Sequence, residues 1–334
     1  MHEVAKLAKV GLMTVSRVIN DHPSVRPSTK RKVQAAIEAL GYQSNEAAKL
    51  LKGQRAMMIG LIVPDLSDIF FATCAHAIEQ IARENGYATL IVSSGQDAKL
   101  QIAQAEMMAR RMLSGLLIVS SGAVDAAKVR RLHDSGLTIV AFDRPLDGSM
   151  TDTVLVDNRS GAEQATEHLV SHGHKRIACV GYDEDMPNVH ERVEGYSHVV
   201  RSHGLKPQIA MRMTTQEAMS KWVHSAITSE EPPTAIFTTN YRASVYLLRA
   251  LSEQKIRIPD QVAVIGFDDF ELAPIVSPPL TTVGQNPVDL ASRAIRMLLE
   301  RIRETGDGIH SSVAKIMLPA TLIPRRSCGC NKDN

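Results

Sequence analysis

Seven short runs of apolar residues recur along most of this chain, each of a length suited to a buried strand. They span residues 57–63, 88–93, 115–120, 137–142, 176–181, 234–239 and 262–267. Amphipathic segments with helical spacing alternate with them, at 71–86, 99–113, 159–172, 189–203, 241–254 and 288–304. Continuous apolar strands with interposed helices are typical of parallel sheets covered on both faces. The pattern predicts an α/β core of two doubly wound halves with a ligand cleft between them.

The first forty residues follow another pattern, in which apolar positions mark three short helices. Their predicted buried stripes are Val4, Ala5 and Ala8, then Val15, Val18 and Ile19, then Val33, Ala36, Ile37 and Leu40. Gly11 and Ser28 are the candidate N-caps of the second and third helices. Two short helices joined by a tight turn form the arrangement that places the second helix in a DNA major groove. Spacing alone does not exclude an ordinary helical subdomain.

The distribution of charge favours DNA binding. Residues 1–55 hold ten Lys and Arg against four Asp and Glu, whereas the other 279 residues hold 28 against 32. A basic amino-terminal segment on a slightly acidic remainder is the pattern of a nucleic-acid binder rather than of a generally basic protein.

Length and composition limit which classes of protein this chain can belong to. A chain of 334 residues can form two or three domains. It lacks both an apolar run long enough for a membrane span and a secretory signal, which predicts a cytoplasmic protein without a membrane partner. Cys74 and Cys179 lie in apolar segments and are expected to be buried. Cys328 and Cys330 form a C-x-C without the second ligand pair that zinc needs, so we expect an exposed tail and no metal.

Polar residues cluster where the apolar runs stop. The segments are VPDLSDIFF (63–71), AFDRP (141–145), TTN (238–240) and GFDD (266–269), with Arg192 and Gln285 nearby. Carboxylates, amides and guanidinium groups bind the hydroxyls of a polyol, and Phe70 and Phe71 would sandwich its apolar face. Any one of these residues is explained by loop solvation or helix capping. Their joint placement at successive strand ends favours a sugar site.

No enzyme is indicated by the sequence. Asp268 and Asp269 are adjacent, so in an extended segment they point to opposite sides and cannot flank one bond. His172 and His174 in the HGH turn are more typical of a solvated loop than of a metal site. The chain has no GxxxxGK[ST] and no GxGxxG after a strand. A sugar-modifying enzyme, or a sugar-binding protein without a role on DNA, remains the alternative.

The segment VAKLAKVGLMTVSRVIN (4–20) resembles the headpiece of the LacI/GalR family of bacterial transcription regulators. That family begins roughly V-A-x-x-A-G-V-S-x-x-T-V-S-R-V-[LI]-N. GYQSN (41–45) and AAKLL (47–51) resemble its G-Y-x-P-N segment and its A-x-x-L hinge. Three positions depart from the pattern, namely Lys9 for the turn glycine, Gly11 for the capping serine and Ser44 for the hinge proline.

The resemblance implies a three-helix, helix-turn-helix DNA-binding headpiece and a core like that of the periplasmic sugar-binding proteins. The implied boundaries are 1–44 for the headpiece, 45–55 for the hinge helix and linker, 56–330 for the effector-binding and dimerisation core, and 331–334 for the tail. Crossings between the core halves would lie near 156–159, 285–288 and 318–322. The implied function is a repressor without a cofactor, acting as a homodimer on a pseudo-palindromic DNA operator. Its operator affinity would respond to a monosaccharide or sugar derivative.

The resemblance also implies particular contact residues. On DNA, Leu12 and Met13 would contact thymine methyls, Arg17 a guanine or phosphate, and Thr14, Ser16 and Asn20 phosphates. The hinge would contribute Asn45, Ala48, Lys49, Lys52 and a minor-groove wedge, Leu51. The effector positions would be Phe70, Phe71, Asp143, Arg144, Arg192, Asn240, Asp268 and Gln285. Asp68 and Met213 stand at neighbouring positions where relatives commonly have asparagine and an aromatic ring.

Overall fold

The computed structural model describes residues 1–19, 22, 24–42, 55–122, 126–146, 151–182, 186–308 and 312–330. The chain divides into two compact units, Met1–Ala56 and Met57–Asn334. Elements are numbered in chain order. No helix among the described residues is both long enough and apolar enough to cross a membrane.

The amino-terminal unit contains three helices, α1 (His2–Ala8), α2 (Leu12–Ile19) and α3 (Pro27–Ala39). Each contributes one fully buried valine to a shared apolar centre: Val4, Val15 and Val33. The amphipathic pattern therefore predicted the three helices correctly.

Two details of the third helix differ from the prediction. Leu40 is 42% exposed instead of buried, because α3 ends at Ala39 and the chain then turns at Gly41, whose φ is +54°. Ser28 is not the N-cap, because α3 already begins at Pro27. Proline is favoured at the first helical position, since its fixed φ suits the helix and its missing N–H would have no partner there.

The turn between α1 and α2 is formed by a lysine in an unusual conformation. Lys9 has a φ of +53°, in the left-handed region that favours glycine. The N–H of Val10 donates to the carbonyl of Ala5 at 3.0 Å, which closes the end of α1. The turn therefore forms without the glycine that the LacI/GalR pattern has at this position, at the cost of strain in Lys9.

The first sheet of the second unit has the strand order β11-β5-β4-β3-β1-β2. Its strands are β1 (Ala56–Val63), β2 (Ala88–Ser93), β3 (Leu113–Ile118), β4 (Thr138–Phe142), β5 (Asp152–Val156) and β11 (Lys315–Leu318). The pairs β1–β2, β3–β4, β4–β5 and β5–β11 are all parallel. The helices of this half are α4 (Ile69–Glu84), α5 (Ala98–Arg110), α6 (Ala126–Asp134) and α11 (Pro287–Gly306).

The second sheet has the order β12-β10-β9-β8-β6-β7. Its strands are β6 (Ile177–Val180), β7 (Gln208–Ala210), β8 (Ala235–Thr238), β9 (Ala263–Phe267), β10 (Thr281–Gly284) and β12 (Thr321–Ile323). Strand β12 runs antiparallel to β10, and the other defined pairs are parallel. The helices of this half are α7 (Asn158–Ser171), α8 (Pro187–Ser202), α9 (Gln216–Ile227) and α10 (Tyr241–Glu253).

The chain passes between the two halves at three places. It leaves the first sheet after Val156, returns after Gly284 and leaves again after Leu318. The apolar pattern predicted seven of the strands. It missed β5, β7, β10, β11 and β12, which are only three to five residues long, together with α6 and α9.

The segment after β12 is packed into the second half and is not an exposed tail. Cys328 is fully buried. The N–H of Val264 donates to the carbonyl of Ser327 at 2.8 Å, and the N–H of Thr281 donates to Ser327 Oγ at 2.7 Å. The expectation of an exposed C-x-C was therefore wrong, since backbone pairing with β9 and β10 leaves no sequence signal. Residues 331–334 lie outside the described residues.

Replacing Lys9 by glycine should raise the free energy of unfolding of the headpiece by about 1 kcal/mol, because glycine adopts a positive φ without the strain of a side chain. Native-state hydrogen exchange of the amides of α1 to α3 measures this in the intact chain. Lys6→Gly is the matched control, since it removes the same charge from the helical part of α1 and should lower stability by a similar amount. Equal effects of both substitutions would contradict the strain at Lys9.

Candidate functional site

Two aspartates occupy equivalent places at the ends of strands in the two halves. Asp143 follows β4 with a φ of +60°, and Asp268 follows β9 with a φ of +73°. Each is held by the neighbouring strand, through N–H bonds to the carbonyls of Val154 at 3.0 Å and Val283 at 2.9 Å. Non-glycine residues in this region are strained, and such strain is characteristic of ligand-binding positions that the surrounding fold fixes.

Arg192, in α8, is the central cation of the second half and is only 1% exposed. Its Nε donates to Asn158 Oδ1 at 2.9 Å, and its Nη1 donates to the carbonyl of Thr239 at 2.7 Å. The guanidinium carbon lies 3.7 Å from the centre of the Phe267 ring, and Nη1 lies 3.7 Å from Asp268 Oδ1. These contacts fix the guanidinium plane beside the end of β9.

The carboxylate of Asp268 is positioned by further partners. Gln285 Nε2 donates to its Oδ1, and the N–H of Tyr241 donates to its Oδ2 at 3.1 Å. Asp269 has a separate set of partners and forms an ion pair with Arg325 at 2.7 Å. Because their partners differ, the two adjacent carboxylates do not share one site, although Asp268 has a left-handed backbone and not the extended one that the prediction assumed.

Arg144 is the corresponding cation of the first half and is 6% exposed. Its Nη1 donates to Gln96 Oε1 at 3.2 Å and to the carbonyl of Ser120 at 3.4 Å. Its Nε lies 3.5 Å from Asp143 Oδ2, and its guanidinium carbon lies 5.8 Å from the centre of the Phe71 ring. A buried arginine and a strained aspartate therefore recur in both halves.

Burial changes the ionisation of these groups. It raises the pKa of Asp143 to about 6, although Arg144 and Arg192 act to lower that value. Burial also raises the pKa of Asp68, whose carboxylate caps α4 by accepting from the N–H of Phe70 at 3.0 Å. The pKa of Arg192 is lowered by burial, which its carboxylate neighbours only partly offset. Asp143 and Asp68 therefore bind protons more readily than exposed carboxyl groups do.

A small cavity of about 60 Å³ lies where the strand ends of the two halves face each other. Asp65 from the first half and Arg242 from the second form an ion pair across it, with Oδ2 and Nη2 3.3 Å apart. The residues that line this cleft cavity are Asp65, Asp68, Phe71, Gln96, Arg144, Tyr182, Met186, Asn240, Tyr241, Arg242 and Asp268.

A larger and more open depression of about 710 Å³ lies beside the crossings after β10 and β11. Its charged lining residues are Asp269, Glu271 and Asp289, all acidic. It contains neither buried arginine, so the cleft cavity is the better candidate for a polar ligand despite its smaller volume.

The structure brings most of the predicted effector residues together. Five of them line the cleft cavity: Asp68, Phe71, Arg144, Asn240 and Asp268. Three more form a layer in contact with these residues or with the charges beside them: Asp143, Arg192 and Gln285. Asn240 also caps α10, because its Oδ1 accepts from the N–H of Ala243 at 2.9 Å.

Two predicted effector residues lie elsewhere. Met213 follows β7 and packs against the apolar core of the second half, outside the cavity lining. Phe70 is also absent from the lining, and its ring meets that of Phe71 edge to face, at 5.2 Å and 80°. Because the two rings are nearly perpendicular, they do not present parallel faces to a ligand. The expected phenylalanine sandwich was wrong, because only Phe71 of the two lines the cleft cavity.

Several lining residues were not predicted. Gln96 and Tyr182 follow β2 and β6. Polar residues just after the apolar runs 88–93 and 176–181 are the signal that could have found them. Asp65 lies in the predicted site segment VPDLSDIFF (63–71) but was not singled out there. Arg242 lies in the first turn of α10, where no spacing distinguishes a cleft residue from a surface one.

The second predicted site is the outer face of α2 in the amino-terminal unit. Met13 is 70% exposed and Leu12 39% exposed, with Arg17 exposed one turn further along. Thr14 and Ser16 are half-buried. The face thus presents two apolar side chains beside a cation. The other predicted DNA contacts, Asn20, Asn45, Ala48, Lys49, Leu51 and Lys52, lie outside the described residues.

Comparisons with known sequences agree with this organisation. Residues 1–45 match the family described as "Bacterial regulatory proteins, lacI family", and residues 166–328 match "Periplasmic binding protein-like domain". The chain is 30% identical over 331 residues to catabolite control protein A of Priestia megaterium, covering 98% of each protein. It is 31% identical over 307 residues to the HTH-type transcriptional repressor PurR of Aliivibrio fischeri strain MJ11, covering 90% of this chain and 91% of PurR.

Two solved structures have the same fold. A complex of the transcriptional regulator CelR with cellobiose aligns with a TM-score of 0.72 at 27% identity, over 97% of this chain and 98% of CelR. A lac repressor dimer bound to operator and the anti-inducer ONPF aligns with a TM-score of 0.82 at 22% identity, over 97% of each chain. PurR and CelR are named as transcriptional regulators, in agreement with the prediction that this chain is not an enzyme. The chain belongs to the LacI family of bacterial regulatory proteins.

Proposed function

We propose that this protein is a cytoplasmic transcriptional repressor whose operator affinity is modulated by a sugar bound in the cleft cavity. The observation that carries the effector part is a group of buried polar atoms without a hydrogen-bond partner among the described residues. They are Arg144 Nε, Arg192 Nη2, Thr239 Oγ1 and Gln285 Oε1. Arg144 lines the cleft cavity, and Arg192 and Gln285 contact Asp268, which also lines it. A buried polar atom without a partner costs about 1–3 kcal/mol, so a ligand that reaches such atoms gains affinity.

The chemistry of these groups favours a polyol. Guanidinium N–H groups only donate hydrogen bonds and carboxylates only accept them, whereas a sugar hydroxyl does both. Asp68 and Asp268 line the cavity beside Arg144, so a dense negative charge such as a phosphate would meet carboxylates as well as arginines. This balance favours a neutral sugar over a sugar acid or sugar phosphate. The cellobiose complex of CelR supports the same class of ligand.

The ion pair between Asp65 and Arg242 supports a role for cleft closure. It joins the two halves, yet its side chains are 37% and 40% exposed. Exposed pairs contribute only about 0–1 kcal/mol, so this one can open without a large penalty. A ligand that binds the closed cleft more tightly than the open one would shift this equilibrium, and any effect of ligand on operator affinity has an equal reciprocal effect.

The DNA part of the proposal is supported by the exposed face of α2. Exposed Leu12 and Met13 are unfavourable in water and suit contact with thymine methyl groups in a major groove. A single headpiece contacts too few base pairs for high specificity, so we propose a homodimer on a pseudo-palindromic operator. The relative named PurR is a transcriptional repressor, which supports repression.

Arg17→Ala should weaken binding to a preferred DNA site by roughly 1–3 kcal/mol and relax sequence preference, because a bidentate guanine contact is worth that much. The site is first selected from random double-stranded DNA with the parent protein, and fluorescence anisotropy then measures both proteins on it and on a scrambled duplex. Arg110→Ala removes an exposed arginine of the core and should change neither affinity. An equal loss on both duplexes would indicate a phosphate contact and remove Arg17 from base recognition.

Asp268→Asn should weaken sugar binding by about 1–3 kcal/mol, because an amide cannot accept from hydroxyls at both of its terminal atoms. A thermal-shift panel of monosaccharides, disaccharides, sugar acids, sugar phosphates and purines identifies the ligand, and calorimetry measures its affinity. Asp269→Asn is the matched control, since that neighbour pairs with Arg325 instead.

DNA binding without ligand should survive in Asp268→Asn. The parent protein should return its ligand chemically unchanged after long incubation. Recovery of a product would support the enzyme alternative, and a normal ligand affinity in Asp268→Asn would remove the cleft cavity as the effector site.

The Asp143→Asn variant should gain stability over the parent as the pH rises from 4 to 6. The pKa of Asp143 is about 6 in the folded chain and about 3.9 when unfolded, so the folded state holds the proton more tightly. The resulting stability is present below about pH 4 and lost as the pH rises through 6, a change of about 3 kcal/mol. Urea denaturation from pH 4 to 7 measures it. The stability of Asp269→Asn should depend on pH nearly as that of the parent does over this range. The pKa of Asp269 is lowered, so this carboxyl group stays ionised from pH 4 to 7. A parallel profile for Asp143→Asn would contradict the raised pKa.

A further inference from the structure

A second group of polar side chains converges at the carboxyl end of α7. His168 lies in the last turn of α7 and His172 just after it, while Cys328 and Cys330 come from the segment after β12. His168 Nε2 lies 3.3 Å from Cys328 Sγ and 3.2 Å from Cys330 Sγ. His172 Nε2 lies 3.3 Å from Cys330 Sγ, and the two sulfur atoms are 3.3 Å apart.

These distances are close to those of a metal coordination sphere. The donor atoms of His168, His172 and Cys330 all lie within 4.8 Å of one another, and Cys328 Sγ adjoins two of them. Zinc at 2.3 Å from sulfur and about 2.0–2.1 Å from nitrogen would separate neighbouring donors of a tetrahedron by roughly 3.3–3.8 Å. Cys328 Sγ lies outside the group of three, so His172 and Cys328 must approach each other before all four donors can surround one ion.

The orientation of His172 is fixed by an outer hydrogen bond. Its Nδ1 lies 2.8 Å from the backbone oxygen of His168. A carbonyl oxygen can only accept, so Nδ1 carries the proton and the lone pair of Nε2 points toward Cys330. This arrangement is the one that metal-binding histidines commonly have.

The C-x-C segment is bent so that its two sulfur atoms meet. Gly329 between them has a φ of +91°, which glycine adopts without strain, and its N–H donates to the carbonyl of Arg326 at 3.2 Å. Thr281 Oγ1 donates to Cys328 Sγ at 3.0 Å and orients the buried sulfur. Cys330 is half-buried and His172 is exposed, so an ion can enter from solvent.

We propose that His168, His172, Cys328 and Cys330 form a tetrahedral site for a structural zinc ion. Two imidazoles and two thiolates are a ligand set that zinc favours, and four protein ligands leave no open position for catalysis. Binding forms two Zn–N and two Zn–S bonds and releases the thiol protons to solvent. The ion ties the segment after β12 to the end of α7.

The proposed zinc site is independent of the proposed repressor function. Asn158, at the other end of α7, holds Arg192, and fourteen residues of helix separate the two ends by about 20 Å. Loss of zinc should therefore lower stability without removing sugar binding. Failure of the zinc proposal would leave the cleft cavity and α2 unaffected.

The test uses the untagged full chain under reducing conditions. Elemental analysis of the protein purified without chelators should give one zinc per chain. The metal-free protein titrated with cobalt(II) should develop the intense visible bands of a tetrahedral cobalt–thiolate site, saturating at one equivalent. Zinc should then bleach these bands and raise the melting temperature of the parent.

Variants at the two accessible ligands make the test specific. Cys330→Ser and His172→Gln should each weaken zinc binding by at least about 100-fold in competition with a colorimetric chelator, since even outer-shell changes cost 10–100-fold. His174→Gln is the matched control, because that residue shares the same turn but bonds to Thr234. Circular dichroism confirms that all three variants fold. The proposal would be overturned if Cys330→Ser bound zinc as tightly as the parent does. It would also be overturned if cobalt gave only the pale bands of octahedral coordination.

Discussion

The second half of the core is organised around a buried charge, the guanidinium of Arg192. Removing an ion from water costs several kcal/mol unless neighbouring groups replace its hydration. Here the replacement comes from three separate elements: Asn158 at the start of α7, Thr239 after β8, and Asp268 after β9. Because each partner satisfies a different part of the guanidinium, the ends of these elements are held in fixed positions. The remaining Nη2 is buried and has no hydrogen-bond partner among the described residues.

Strain and burial at the cleft have the same consequence. Asp143 and Asp268 adopt positive φ values, and Asp143 bears a carboxyl group whose ionisation burial opposes. Both features lower the stability of the ligand-free fold, and both are tolerated because the surrounding strands are well packed. A ligand that satisfies these groups meets side chains already in place, so little conformational entropy is lost on binding. The cleft thereby favours ligand affinity over maximal stability of the empty protein.

Local patterns in the sequence predicted the parts of this arrangement that depend on local physics. Apolar runs found the longer strands, and the rule that sites form at the ends of parallel strands found Asp68, Arg144, Asn240 and Asp268. Contacts between distant segments could not be predicted in this way. The C-x-C of Cys328 and Cys330 lacked a second ligand pair in its own neighbourhood, and that pair lies about 160 residues earlier, in and just after α7. The phenylalanine sandwich failed because the rings of Phe70 and Phe71 meet edge to face, an orientation set by side-chain packing that the sequence does not show.

The segment after β12 joins the two sites of the second half mechanically. Ser327 bonds to the backbone of Val264 in β9 and of Thr281 in β10, and Arg325 pairs with Asp269 at the end of β9. These are the strands whose ends carry Asp268 and Gln285. A zinc ion on Cys328 and Cys330 would fix this segment against α7, whose other end holds Arg192 through Asn158. The hydrogen bonds of Ser327 and the ion pair of Arg325 support these strands whether or not zinc is bound, so loss of the ion should lower stability without removing the effector site.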